Sequence, residues 1–371
     1  MTEDRLIRPV LSALVPYEPG KPVEEVQREL GLERVVKLAS NEGPYGPFPE
    51  ALEAMARAAK ELNRYPDGGA YRLRSALAER HGVRFEEIAI GAGADGVVDC
   101  LSQATLDPGD EVVLGWPSFP SYAIYAVKQG ATPVKVPLQD HRYDLHALLA
   151  AITPRTKLVY ICNANNPTGT MNARGELNAY FAQVPEDILT VIDQAYFEYI
   201  DDPEYPDAIA ECFANGQRVV VLRTFSKIYG LAGLRVGYGV VAPEVVTAIG
   251  KVRRAFDITT QAQEAALASL DADDELARRR EMNRSARDEL EEILRRHGFD
   301  PVGPAVANFV FADAGGDAEA LFAALLREGV IVRPLAGFGA PDAIRVTVGT
   351  PDEHAFLDRA LARVKTALAA S

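Results

Sequence analysis

Between residues 88 and 240 the chain alternates short apolar runs with longer amphipathic stretches. The runs fall at 88–90, 112–114, 134–136, 158–161, 189–192, 219–222 and 236–240. They are dominated by Val, Ile and Leu and are short enough to be strands buried on both faces. Between most of them lie segments with helical spacing, among them 96–105, 121–129 and 145–151. This rhythm predicts an α/β fold built on a mostly parallel, seven-stranded sheet with helices on both faces. Two further helical patterns, 49–62 and 70–81, precede it.

Beyond residue 245 the rhythm breaks. Helical patterns at 243–256, 261–270 and the long charged 273–297 lead to strands at 308–312, 330–332 and 344–348, with helices at 318–328 and 353–369. That mixture predicts a small α+β unit. At the other end Pro16, Pro19, Gly20, Pro22, Gly43, Pro44, Gly46 and Pro47 make the opening stretch read as an arm. The expected division is an arm over 1–45, packed with the small unit and the substrate site, a large domain over 46–245, and linker helices with the small domain over 246–371.

Composition narrows the partners. A net charge of −14 over 371 residues argues against nucleic acid or an anionic membrane surface, so an anionic substrate must be gathered by a few local arginines. No apolar span reaches transmembrane length, and the first ten residues hold no leader-like run. Cys100, Cys162 and Cys212 are far apart and lie in or beside apolar runs, which suggests reduced, buried thiols and a cytoplasmic protein. The five histidines are dispersed, so no His-based metal site is expected.

The densest chemistry is Thr224-Phe225-Ser226-Lys227, followed by Arg235 in Ala-Gly-Leu-Arg-Val-Gly-Tyr. A lone Ser-Lys pair is ordinarily a solvated turn. Here an apolar strand leads into it, which places Lys227 at the carboxyl rim of the sheet, where α/β proteins build their sites. A lysine there can form a Schiff base, while Thr224, Ser226 and Arg235 supply donors for a phosphate. Together they describe an aldehyde that carries a phosphate, pyridoxal 5'-phosphate. Gly91-Ala92-Gly93-Ala94-Asp95-Gly96 matches a dinucleotide fingerprint, and a helix N-terminus of this kind accepts any phosphate. A nicotinamide dehydrogenase is therefore a rival reading, but it leaves Lys227, Asp193 and Arg235 unexplained.

The stretch from Thr224 to Tyr238 resembles the fold-type I pyridoxal-phosphate aminotransferases, and the other motifs follow in that family's order from residue 41 to 349. The resemblance implies that Lys227 holds the cofactor and moves the substrate proton. It implies that backbone groups of Ala94, Asp95 and Gly96 bind the phosphate, that Phe119 stacks on the ring, and that Asn166 and Tyr196 bond its phenolic oxygen. Asp193, ending an apolar run, would pair with the ring nitrogen, though a strand-end Asp is also a plausible helix cap. Phe119 has a core phenylalanine as its plain alternative.

Tyr65 would reach across a homodimer to the neighbour's phosphate. Arg345, a charge inside an apolar strand, would bind a carboxylate or phosphate with Arg333. The arm, Pro16 to Pro22 and then Leu38 to Pro47, resembles that of the histidinol-phosphate aminotransferases, which makes Tyr17 and Asn41 substrate-binding residues. The implied reactants are an amino donor and 2-oxoglutarate. Gly43 and the 256–260 stretch depart from the usual pattern, and aromatic aminotransferases and threonine-phosphate decarboxylases share most of these motifs; a non-catalytic PLP-binding regulator on the same fold is a rival from another class, against which the short arm and acidic charge argue.

Overall fold

The computed structural model describes residues 6–16 and 19–369. Tyr17 lies outside the described residues. In chain order the strands are β1 (Val36–Lys37), β2 (Ile88–Gly91), β3 (Glu111–Trp116), β4 (Thr132–Pro137), β5 (Thr156–Cys162), β6 (Leu189–Asp193) and β7 (Val219–Thr224). They continue with β8 (Gly237–Val240), β9 (Asp300–Pro301), β10 (Phe309–Asp313), β11 (Val330–Ile331), β12 (Arg333–Pro334) and β13 (Ala343–Thr347).

Each apolar run expected between residues 88 and 240 is a strand of one seven-stranded sheet, ordered β2-β8-β7-β6-β5-β3-β4. Only β8 runs against its neighbours. Every residue of β6 and β7 is buried, as expected for central strands covered on both faces. The edge strand β4 instead exposes Thr132, Lys135 and Pro137, and its prolines sit where no further ladder bond is needed.

The small unit is a four-stranded antiparallel sheet, β12-β13-β10-β9. Val310, Ala312, Ile344 and Val346 pack there on Leu290, Ile293, Leu294, Leu321 and Leu357. The single strand expected at 330–332 is in fact two. β11 pairs in parallel with β1 of the arm, and the chain then changes partner so that β12 pairs with β13.

The arm carries more structure than its Pro and Gly content suggested. Val23–Leu30 is a helix with Glu24 and Glu25 in its first turn, ended by Gly31 in the left-handed conformation (φ 67°). Its Val26 is buried against Ala39 and Ile331. The helix Arg174–Phe181 also went unanticipated.

Among the remaining helices, Pro243–Val252 stops short of its expected end because Arg253 turns to extended backbone (ψ 140°). The long helix Asp273–Arg296 opens on three acids and closes on Arg295 and Arg296, matching its dipole. Its Leu276 belongs to the large core, whereas Leu290, Ile293 and Leu294 belong to the small one. Among the described residues no helix is long and apolar enough to cross a membrane.

Candidate active site

The carboxyl ends of β5, β6 and β7 lie side by side and leave Cys162, Asp193 and Thr224 at one rim. A cleft of about 590 Å³ opens beyond them, lined by Phe119, Asn166, Asp193, Tyr196, Thr224, Ser226, Lys227 and Arg235 together with Gly93, Ala94 and Asp95. Tyr122, Cys162 and Ala195 complete the lining.

One end of the cleft is built from donors. The helix Gly93–Thr105 starts there, and no side chain caps its N-terminus, so its first N–H groups face the cleft without an internal partner. The helix begins three residues earlier than the pattern suggested. Gly96 is therefore its fourth residue, and its N–H falls within the helical ladder. Gly93, Ala94 and Asp95 line the cleft at this end, and Gly96 is not among its lining residues.

Two glycines allow this close packing. A Cβ on Gly237 would lie 2.4 Å from the Ala94 nitrogen, and one on Gly93 would lie 2.8 Å from Arg235 Nη2. Facing the helix start, the Thr224 hydroxyl donates to Ser226 Oγ at 3.0 Å, and Arg235 Nη1 lies 3.5 Å from the same oxygen. Asp95 turns its Oδ2 to the Tyr125 phenol at 2.6 Å.

Lys227 sits three residues past β7. Burial, then repulsion from Arg345 and Arg235, lowers its amine from 10.5 to about 8, against opposing pulls from Glu42 and Asp193. Its Nζ lies 5.5 Å from the Tyr196 ring centroid. Asp193 is buried and needs no cap role: its Oδ2 accepts from the Tyr122 phenol at 2.7 Å and its Oδ1 from the Ala195 N–H at 3.0 Å. Burial raises its carboxyl above the ordinary value, and these hydrogen bonds and Lys227 hold the rise back.

Tyr196, Asn166 and Arg345 form one network with the arm. Asn41 Nδ2 donates to the Tyr196 oxygen at 2.9 Å, so the phenol keeps its own proton to donate elsewhere. Asn41 adopts positive φ (54°) and is pinned by Thr347, whose hydroxyl accepts from the Asn41 N–H at 2.9 Å, and by Asn308, which donates to its carbonyl. Arg345 donates to Asn166 Oδ1 and, at 2.7 Å, to the Ala39 carbonyl. The amide nitrogen of Asn166 remains as its donor on the cleft side. Arg333 is the cross-strand partner of Arg345.

Phe119 borders the cleft with its ring edge-on to Tyr122 at 5.5 Å. Tyr65 is not brought into this chain's own cleft; it is 81% exposed and stacks on Phe256 at 4.6 Å.

Sequence reasoning missed Tyr122, whose only signal was an aromatic one helical step after Phe119. It also missed a buried cluster behind Asp193. Arg223, 1% exposed, donates to Gln194 at 3.0 Å and to Asp207 at 2.9 Å, with its guanidinium 3.3 Å from the Phe197 ring centroid. Gln194 in turn donates to the Pro206 carbonyl at 2.7 Å, which fixes the segment after Asp193. A charge closing the apolar run 219–222 was the available hint.

The model of the family described as aminotransferase class I and II matches residues 33–364. A histidinol-phosphate aminotransferase of Moorella thermoacetica is 44% identical over 357 residues, 96% of this chain and 92% of that protein. One from Caldicellulosiruptor saccharolyticus is 40% identical over 97% of this chain and 100% of its own length. Among solved structures, the histidinol-phosphate aminotransferase of Sinorhizobium meliloti in complex with pyridoxal-5'-phosphate superposes with a TM-score of 0.90 at 30% identity, covering 99% of each chain. The Thermus thermophilus aspartate aminotransferase with maleate gives 0.84 at 27% identity over 96% of this chain and 99% of its own.

Proposed function

We propose, for a chain that belongs to the class I and II aminotransferase family, that it transfers the amino group of L-histidinol phosphate to 2-oxoglutarate, yielding imidazole acetol phosphate and L-glutamate in histidine biosynthesis. The observation that carries the substrate is near-complete alignment, at 40% and 44% identity, with relatives named for that reaction. The paired Arg333 and Arg345 support it, because a phosphorylated donor and a dicarboxylic acceptor both need cations in an acidic protein.

The enzyme is pyridoxal 5'-phosphate dependent, and the residues present fit that group. The uncapped helix start, the two hydroxyls and Arg235 form a phosphate cradle that a Cβ on Gly93 or Gly237 would fill. When bound, the cofactor supplies an aldehyde for covalent attachment and a ring that accepts electrons. In this reading Gly93, Ala94, Asp95, Ser226 and Arg235 would hold the phosphate, Phe119 would cover one ring face, and Asn166 and Tyr196 would donate to the phenolic oxygen. Asp193 would pair with the ring N–H.

Lys227 Nζ would accept the proton leaving the substrate Cα and hold it at the nitrogen for its return, a task suited to an amine lowered to about 8. Arg345 orients the substrate's anionic group and, through Asn166, ties that grip to the ring end of the site. Arg333 adds the second cation, and Asn41 and Tyr17 are the further substrate-binding residues of this reading.

The functional unit in this reading is a homodimer in which the exposed Tyr65 reaches the neighbouring phosphate cradle. The three cysteines are free and buried, which supports a reducing cytoplasmic setting. The arm over 1–45, the large domain over 46–245 and the linker helices with small domain over 246–371 remain the proposed division.

The test is an absorbance titration of the cofactor-loaded enzyme with histidinol phosphate and, separately, with phenylalanine. Bleaching of the visible cofactor band at far lower histidinol phosphate is the expected result. The reverse order makes the enzyme an aromatic aminotransferase.

A further inference from the structure

We propose that Tyr122 is a positioning residue for Asp193, fixing the plane of its carboxylate and stabilising its charge so that it can meet the cofactor's ring nitrogen. The inference rests on the pyridoxal-phosphate reading above and adds a residue to it.

The geometry is specific. Asp193 ends β6 between Cys162 on β5 and Leu222 on β7, in a buried position where a carboxylate needs hydrogen-bond donors. Its two oxygens have separate donors, the Tyr122 phenol at 2.7 Å and the Ala195 N–H at 3.0 Å. The second donor is local and comes with any tight turn after the strand. The first arrives from 71 residues away, on the opening turn of the helix Ser121–Gln129.

Tyr122 cannot swing out of this role. It is 1% exposed, stacked on Tyr160 at 4.4 Å with 15° between planes, and met edge-on by Phe119 at 5.5 Å. The same ring therefore holds the carboxylate at its tip and supports the cofactor-facing Phe119 on its flank.

Its phenol also stays protonated as a donor, since burial and the adjacent Asp193 push it well up. Other groups face Asp193 as well. Lys227 favours the charged carboxylate and Asp95 disfavours it. Cys162, Tyr160, Tyr196 and Tyr143 also feel the Asp193 charge, each raised by burial and so neutral at pH 7.

A hydrogen bond to the ionised form lowers a carboxyl pKa, so removing it raises the pKa. Cofactor binding that needs ionised Asp193 then fails at a higher pH.

Tyr122→Phe keeps the ring and removes only the donor. Full-length apoprotein is titrated with pyridoxal 5'-phosphate across pH, following the emission of the only tryptophan, Trp116. The acid limb of cofactor affinity is expected to move up by about one pH unit. Tyr160→Phe, which removes a neighbouring phenol not bonded to Asp193, is expected to leave the limb in place. In an Asp193→Asn background the added loss from Tyr122→Phe should vanish.

An unshifted limb in Tyr122→Phe, with or without weaker binding, overturns the inference and leaves Tyr122 as packing. An equal loss in the Asp193→Asn background does the same. A wild-type protein that takes up no cofactor overturns the pyridoxal-phosphate reading itself, and this inference with it.

Discussion

Arg333 stands directly across from Arg345 in the antiparallel pair β12–β13. Like charges in cross-strand register repel, and both guanidiniums lie beside Phe338, 5.4 Å and 5.3 Å from its ring centroid. Two cations held this way make an anion the natural third member of the group.

The two arginines are nevertheless unequal, because Arg345 also serves Asn166 and the Ala39 carbonyl. Arg333→Ala is expected to raise KM for histidinol phosphate by roughly tenfold to a hundredfold with a smaller change in kcat. Arg345→Ala is expected to lower kcat/KM by roughly a thousandfold and to lower Tm, since buried acceptors lose their donor. Steady-state kinetics on both variants, with melting curves, checks the asymmetry. Equal effects would contradict it.

Lys227→Ala should abolish turnover and leave the fold intact. A subtler effect follows from the lowered amine. In the folded protein it releases its proton near 8, in the unfolded chain near 10.5, so the unfolded state binds more protons between those values. Stability contributed by this group therefore rises with pH across that window, and below it the buried charge is a fixed cost. Lys227→Met should stabilise the cofactor-free protein at pH 7 by roughly 1–3 kcal/mol. The gain should fade between pH 8 and 10.5, as read from urea unfolding at several pH values.

Arg223 neutralises Asp207 and buried Glu198 behind the site. Arg223→Met should destabilise by roughly 3–5 kcal/mol, because buried Glu198 and Asp207 lose their ion-pair partner. Chemical denaturation measures the loss. A change below about 1 kcal/mol would show the cluster to be energetically idle.

Tyr65 acts in the partner's site under the dimer proposal, so two crippled chains should rescue each other. Tyr65→Ala and Lys227→Ala variants, each inactive or nearly so, are co-refolded at equal amounts. Random pairing makes half the dimers mixed, each with one intact site, and activity should return to about a quarter of wild type. No recovery from confirmed mixed dimers would place Tyr65 outside the reaction.

Legibility followed how local each signal was. The central strands β5, β6 and β7 were readable because buried strands of this kind are unbroken apolar runs, and 219–222 or 189–192 have no competing pattern. Lys227, Asp193 and Asn166 could be singled out because each falls within five residues of the end of such a run. Helix Val23–Leu30 was hidden by the prolines and glycines on either side, although its Val23, Val26 and Leu30 keep helical spacing. The split at Val332 was unreadable, since alternation shows that a segment is a strand but not which edge it joins. The contact between Tyr122 and Asp193 spans 71 residues, and no local pattern encodes a hydrogen bond of that reach. The helix Gly93–Thr105 starts three residues before the expected 96, because helix starts are among the least determined boundaries.

The helix Asp273–Arg296 has its leading end embedded in one core and its trailing end in the other. At 24 residues it is about 36 Å long. A shaft gripped at both ends resists sliding, so the small unit tilts as the shaft flexes. A bend of about three degrees at mid-length carries the far end about 1 Å. That is the tolerance within which Arg345 does or does not meet a substrate's anion. The stiffness of this one lever thus sets how forgiving the enzyme is of substrate shape, and a glycine at its midpoint would put slack in the linkage without touching the cleft.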